Sequence, residues 1–143
     1  MGINQALIEK YRRLVERKNE ETSAQRLLNN EGLNRWLELR GLIKDEVEEL
    51  NNALNTEALV LEHSDPTSLI IRRRIDNAML NGSYAQSTNS VSFMSAPSMR
   101  LDLYLQAQGE TLDFIHRDPG TGRESIVKVD DIAYGVLDKF LSN

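Results

Sequence analysis

The chain has no cysteine among its 143 residues. This excludes disulfides, thiol catalysis and thiolate metal sites. It has three prolines, the first at Pro66, so no proline interrupts a helix before that point. Aromatic residues make up 6% against 40% hydrophobic residues in all, which makes any core aliphatic. No apolar run approaches the ~20 residues that cross a bilayer. There is no surplus of base either: 17 Lys and Arg stand against 22 Asp and Glu, a formal net charge of -5. A protein that holds nucleic acid through its phosphates needs the opposite balance. The opening Met1-Gly2-Ile3-Asn4-Gln5-Ala6 lacks the apolar stretch of a secretory signal, and Ala6 stands where a myristoylation signal carries Ser or Thr. Together these absences imply a soluble, cytoplasmic protein with no membrane or nucleic-acid partner.

Motifs for common chemistries are missing too. No G-x-S-x-G elbow, H-E-x-x-H helix or phosphate loop occurs, and Gly120-Thr121-Gly122 lacks the loop's spacing and lysine. Tyr84, Tyr104 and Tyr134 are scattered and form no stacking platform for bases.

What the chain does have begins with helix. From Ile3 to Leu54 the residues are mostly strong helix formers, with glycine only at Gly32 and Gly41. Asn29-Asn30-Glu31-Gly32 is the one turn-like cluster, so the spacing predicts two helices folded back on each other there. The second carries a heptad of Leu33, Trp36, Arg40, Ile43, Val47, Leu50 and Leu54. The first carries a weaker one through Leu7, Tyr11, Leu14, Lys18, Glu21, Gln25 and Leu28. Folded about the turn, Leu28 meets Leu33, Leu7 meets Leu54, and the one seam glutamate, Glu21, meets the one seam arginine, Arg40. Residues 1–56 are thus expected to form a coiled-coil-like antiparallel hairpin, with Trp36 in its seam. Leu37, Leu39 and Leu42 lie off that seam and call for a further partner: a second copy is preferred, and packing on the sheet is the alternative.

Residues 57–143 read as an antiparallel sheet closed by a helix. Strands are expected at 58–63 and 68–75, with 76–84 open between strand and loop. Met99, Leu101, Leu103, Leu105 and Ala107 alternate with polar residues, which is a strand with one buried face. Turns at Gln108-Gly109 and at 118–122 join it to strands at 110–116 and 123–129 in a meander. Asp130 then caps a C-terminal amphipathic helix carrying Ile132, Val136, Leu137, Phe140 and Leu141. The serine-rich stretch 81–98 is expected to be a long polar loop, either one that orders on a partner and presents Phe93 and Met94 or a plain connection with a short strand at 91–94. The fold class is α+β.

The two histidines share one tetrapeptide, His63-Ser64-Asp65-Pro66 and His116-Arg117-Asp118-Pro119. Asp-Pro is turn chemistry, because Asp accepts from the turn amides and Pro presets φ. If the two motifs faced each other, two imidazoles and two carboxylates would suit a metal or acid–base work. The turn explanation is preferred, and no metal, cofactor or catalytic residue is assigned. In Arg72-Arg73-Arg74, Arg72 and Arg74 face one way on a strand. With His63 and His116 they make a candidate ligand site for a phosphate, a nucleotide or another anion. The function the sequence favours is non-enzymatic: a protein–protein interaction module, such as an adaptor, assembly factor or inhibitor, that self-associates through its helices. The alternatives are an anion binder and, third, an enzyme built on the His-x-Asp pairs.

Overall fold

The computed structural model describes residues 4–62 and 65–143. A single long helix, α1 (Gln5–Leu54), leads into seven strands: β1 (Leu59–Glu62), β2 (Ser68–Arg73), β3 (Ala78–Ala85), β4 (Ser90–Ser95), β5 (Met99–Gln108), β6 (Thr111–Arg117) and β7 (Glu124–Val127). Helix α2 (Val129–Ser142) closes the chain. The strands form one antiparallel sheet in which each pairs with its neighbours in sequence. The fold is α+β, and no helix among the described residues is long and apolar enough to cross a membrane.

The expected hairpin is replaced by one continuous helix of 50 residues, about 75 Å long at 1.5 Å per residue. Asn29, Asn30 and Gly32 cost a helix only about 0.7–1 kcal/mol each, and none of them forbids it. Packing outweighs that cost. Trp36, Leu39, Ile43 and Val47 are fully buried against the sheet, and each side chain so buried contributes about 1.5–3 kcal/mol. Gly32 itself faces the sheet, where a Cβ would sit 2.5 Å from the Tyr84 hydroxyl. The glycine that looked like a turn instead lets a tyrosine approach the helix. Glu21 and Arg40 lie nineteen positions apart on one helix, about 28 Å, so no ion pair joins them. Glu21 is exposed, and Arg40 Nε donates to the Ser68 carbonyl at 3.1 Å.

The stretch 81–98 is likewise not a loop. It holds the end of β3 and all of β4, joined by a short turn. Gly82, Tyr84, Val91, Phe93 and Ser95 point into the core while Ser83, Ser92 and Met94 alternate outward. Serine in the outward positions hides the alternation from a composition-based reading. The three-strand meander is therefore a seven-strand one. Helix α2 starts at Val129, with Lys128 at the N-cap and Asp130 and Asp131 in the first turn. There the carboxylates oppose the positive end of the helix dipole.

The core is a single layer between one face of the sheet and the two helices. Buried side chains from α1, β1–β6 and α2 form one continuous cluster. Trp36 and Phe93 meet at its centre with ring centroids 6.1 Å apart. Gly82 lies beneath them, paired in register with Phe93.

Candidate functional site

Of the ligand residues suggested by the sequence, Arg72, Arg74 and His116 are not brought together. Arg72 points to the sheet face away from the helices, where its Nε donates to Glu62 Oε1 at 2.7 Å. Arg74 lies beyond the end of β2 and is exposed. His116 is on β6, four strands away, opposite Leu103. His63 lies outside the described residues. The unexpected anchor is Arg73. Its Nε and Nη2 grip both oxygens of Asp76, its Nη1 donates to the carbonyls of Phe140 and Asn143, and its guanidinium lies over the Phe140 ring. It ties the β2–β3 turn to the end of α2, and the ion pair holds the Asp76 carboxyl below its ordinary value.

Both Asp-Pro motifs are built as turns. Asp65 Oδ1 accepts from the Thr67 hydroxyl and amide, each at 3.0 Å. The Thr67 hydroxyl is the largest of the contacts that lower its pKa. Asp118 accepts from the Gly120 amide at 2.9 Å and the Thr121 hydroxyl at 3.1 Å, with the Gly120 bond contributing most to a lowered pKa. A meander alternates its turns between the two ends of the sheet. The first turn, holding Asp65, and the sixth, holding Asp118, therefore fall at opposite ends. Among the described residues no cluster of three or more His, Asp or Glu is placed to hold a metal. The first turn also anchors the helix, because Trp36 Nε1 donates to the Pro66 carbonyl at 2.8 Å and pins α1 to it.

The interaction residues divide by burial. Leu39 and Phe93 are fully buried, so they are core and not surface. Leu42 packs against that core. The shared core of the sheet and α2 is thus the partner that Leu39 and Leu42 needed. Leu37 and Met94 stay exposed, at 38% and 48%.

The surface the sequence did not single out is the first half of α1. Residues 5–26 extend past the sheet, and nearly all are exposed. Leu7, Tyr11 and Leu14 are 61%, 69% and 58% exposed, and Val15 is exposed beside them. Spacings of four and three put Leu7, Tyr11 and Leu14 on one stripe. Below the stripe, Leu28 is the first apolar residue to reach the core. The signal was in the sequence as the weaker heptad, but it was spent on an internal partner.

One further concavity is notable. An open cleft of about 450 Å³ is lined by Arg100, His116, Arg117 and Lys139, with Tyr104 and Asp102 among its other residues. Arg100 is paired to Asp102 at 2.9 Å and Arg117 to Glu124 at 2.9 Å. Compared with protein-family models, curated proteins and solved structures, the chain matches none of them.

Proposed function

We propose that this is a non-enzymatic protein–protein interaction protein that self-associates through the projecting arm of α1. The observation that carries this is the stripe Leu7, Tyr11, Leu14, exposed on a helical segment nearly all of whose residues are exposed. Helices in proteins gain most of their stability by packing an amphipathic face, and the apolar stripe of this arm is left exposed. A second arm supplies the missing face, with the apolar stripes meeting as a short coiled-coil seam. The rest of the molecule then acts as a rigid base that holds the arm at a fixed angle and offers Leu37 and Met94 to a further protein partner.

Light scattering on the full chain tests this. The wild type should run above its 16.3 kDa monomer mass at tens of micromolar. The variant Leu7→Ser/Tyr11→Ser/Leu14→Ser should lose that excess mass while the core transition followed by Trp36 emission stays that of a folded monomer. An unchanged assembly in the triple variant overturns the proposal.

Anion binding is a second reading, favoured by the cleft of Arg100, His116, Arg117 and Lys139. Titration with inorganic phosphate checks it: heat or chemical-shift change confined to these residues supports it, and none at millimolar phosphate removes it.

A further inference from the structure

The sheet has two edges, and they are finished differently. At β1 a side chain caps the outward backbone groups of Leu59. The Leu59 amide donates to Asn51 Oδ1 at 3.1 Å, and Asn51 Nδ2 donates to the Leu59 carbonyl at 2.9 Å. At β7 no described residue plays that part.

Which backbone groups of β7 face outward follows from the register. The Asp118 amide donates to the Arg123 carbonyl at 2.9 Å, which makes this a hydrogen-bonded pair. Along an antiparallel ladder such pairs alternate with non-bonded ones. Arg117↔Glu124 and Ile115↔Ile126 are therefore the non-bonded pairs, and the amides and carbonyls of Glu124 and Ile126 point away from β6. On the sheet face turned away from the helices, Tyr104, Ile115 and Ile126 form a cross-strand row. The row ends at the open edge with Ile126 61% exposed.

We propose that this edge is a self-complementary strand-pairing site whose occupant is β7 of a second copy. Placing Ile126 opposite its own symmetry mate satisfies three requirements at once. The outward backbone groups of the two residues face each other, so both Ile126 amides find carbonyls. The apolar row continues across the junction. Glu124 of each copy, which also accepts from Arg117 at 2.9 Å, falls opposite Lys128 of the other, the helix N-cap just beyond the strand, and this happens twice. Lys128 is exposed and has no carboxylate partner among the described residues. Short strands and charged side chains ordinarily blunt a sheet edge; on this short edge the charges are of opposite sign, at the spacing that its own copy matches. A two-fold contact is the ordinary way for one patch to serve both partners. A strand this short buries a small interface, within the weak class below about 1,200 Å².

The β7 edge is independent of the arm, and the experiment keeps the two apart. It uses the full chain carrying Leu7→Ser/Tyr11→Ser/Leu14→Ser, studied by sedimentation at ~0.5 mM, a concentration suited to a weak contact. This chain should dimerise. Glu124→Lys alone puts lysine opposite lysine, and Lys128→Glu alone puts glutamate opposite glutamate. Each should weaken the homodimer about tenfold, as two like-charged cross-strand pairs replace two opposite ones. Mixing the two single variants should restore a dimer, because each now carries the charge the other lacks. Ile126→Pro should abolish pairing and leave the monomer folded, since an outward amide on an edge strand is dispensable. A strictly monomeric chain, single variants that dimerise as the parent does, or a mixture that fails to recover would overturn the inference.

Discussion

Gly82 and Asp118 each hold their surroundings through something small. At Gly82 a Cβ would lie 2.7 Å from Phe93 Cε1 and 3.5 Å from Trp36 Cη2. Both rings are fully buried, so neither can swing into solvent. Gly82→Ala should therefore destabilise the fold by about 1–3 kcal/mol, the usual cost of overpacking, despite the gain in strand propensity. Chemical denaturation gives the value, and an unchanged midpoint would mean that the rings yield. Asp118 acts through charge. Its carboxylate accepts from Gly120 and Thr121, which holds its folded pKa below the ordinary 3.8. A carboxyl whose folded pKa is depressed adds stability above the unfolded value and loses it as pH falls through the folded one. Asp118→Asn keeps an acceptor but cannot titrate. The melting-temperature gap between wild type and variant should be constant near neutrality and close as pH drops below 3.8. A gap that stays constant down to about pH 2, past the range where such a carboxyl titrates, would contradict this. These contacts are invisible in a sequence, because only the fold brings Gly82 under Phe93 and Trp36. The Asp-Pro turn, by contrast, is local chemistry, and the tetrapeptide announces it.

Elements differ in what holds them. The upper half of α1 is fixed by Trp36, Leu39, Ile43 and Val47, while residues 5–26 are nearly all exposed and carry surface pairs such as Arg12–Glu9. Pairs of that kind contribute a few tenths of a kcal/mol. Hydrogen exchange should show this division. Amides of residues 8–24 should exchange fast in dilute protein and slow as concentration rises, while those of 36–50 stay protected throughout. Uniform protection at low concentration would show that the arm needs no partner. Asn51 is the corresponding test at the other end of α1. Removing it by Asn51→Ala leaves the Leu59 amide and carbonyl without their partners, at a cost of about 1–3 kcal/mol, read from thermal unfolding. The elements were unevenly legible. Strand β5 announces itself because its apolar and polar residues alternate over ten positions. Helix α2 does so because its apolar residues recur at helical spacing. Strands β3 and β4 do not, since Asn81, Ser83, Ser90 and Ser92 on their outer face read as loop. The hairpin failed for a subtler reason. The two heptads match each other, but a heptad records only that a face is apolar, not which surface covers it.

For the whole molecule, the consequential feature is the position of Trp36. It is the only tryptophan in the chain, it is fully buried, and it bonds to the Pro66 carbonyl from within the α1–sheet contact. Its emission is therefore a built-in reporter of one event, the seating of the helix on the sheet. Far-ultraviolet ellipticity counts every helical turn, and the projecting arm supplies roughly a third of the helical residues. The two signals thus look at different parts of one helix. In dilute solution the ellipticity should begin to fall before the fluorescence shifts, the reverse of a single all-or-none transition. As concentration rises and arms find partners, the two curves should merge. An unlabelled protein thus carries both the gauge of its core and, by difference, the gauge of its assembly.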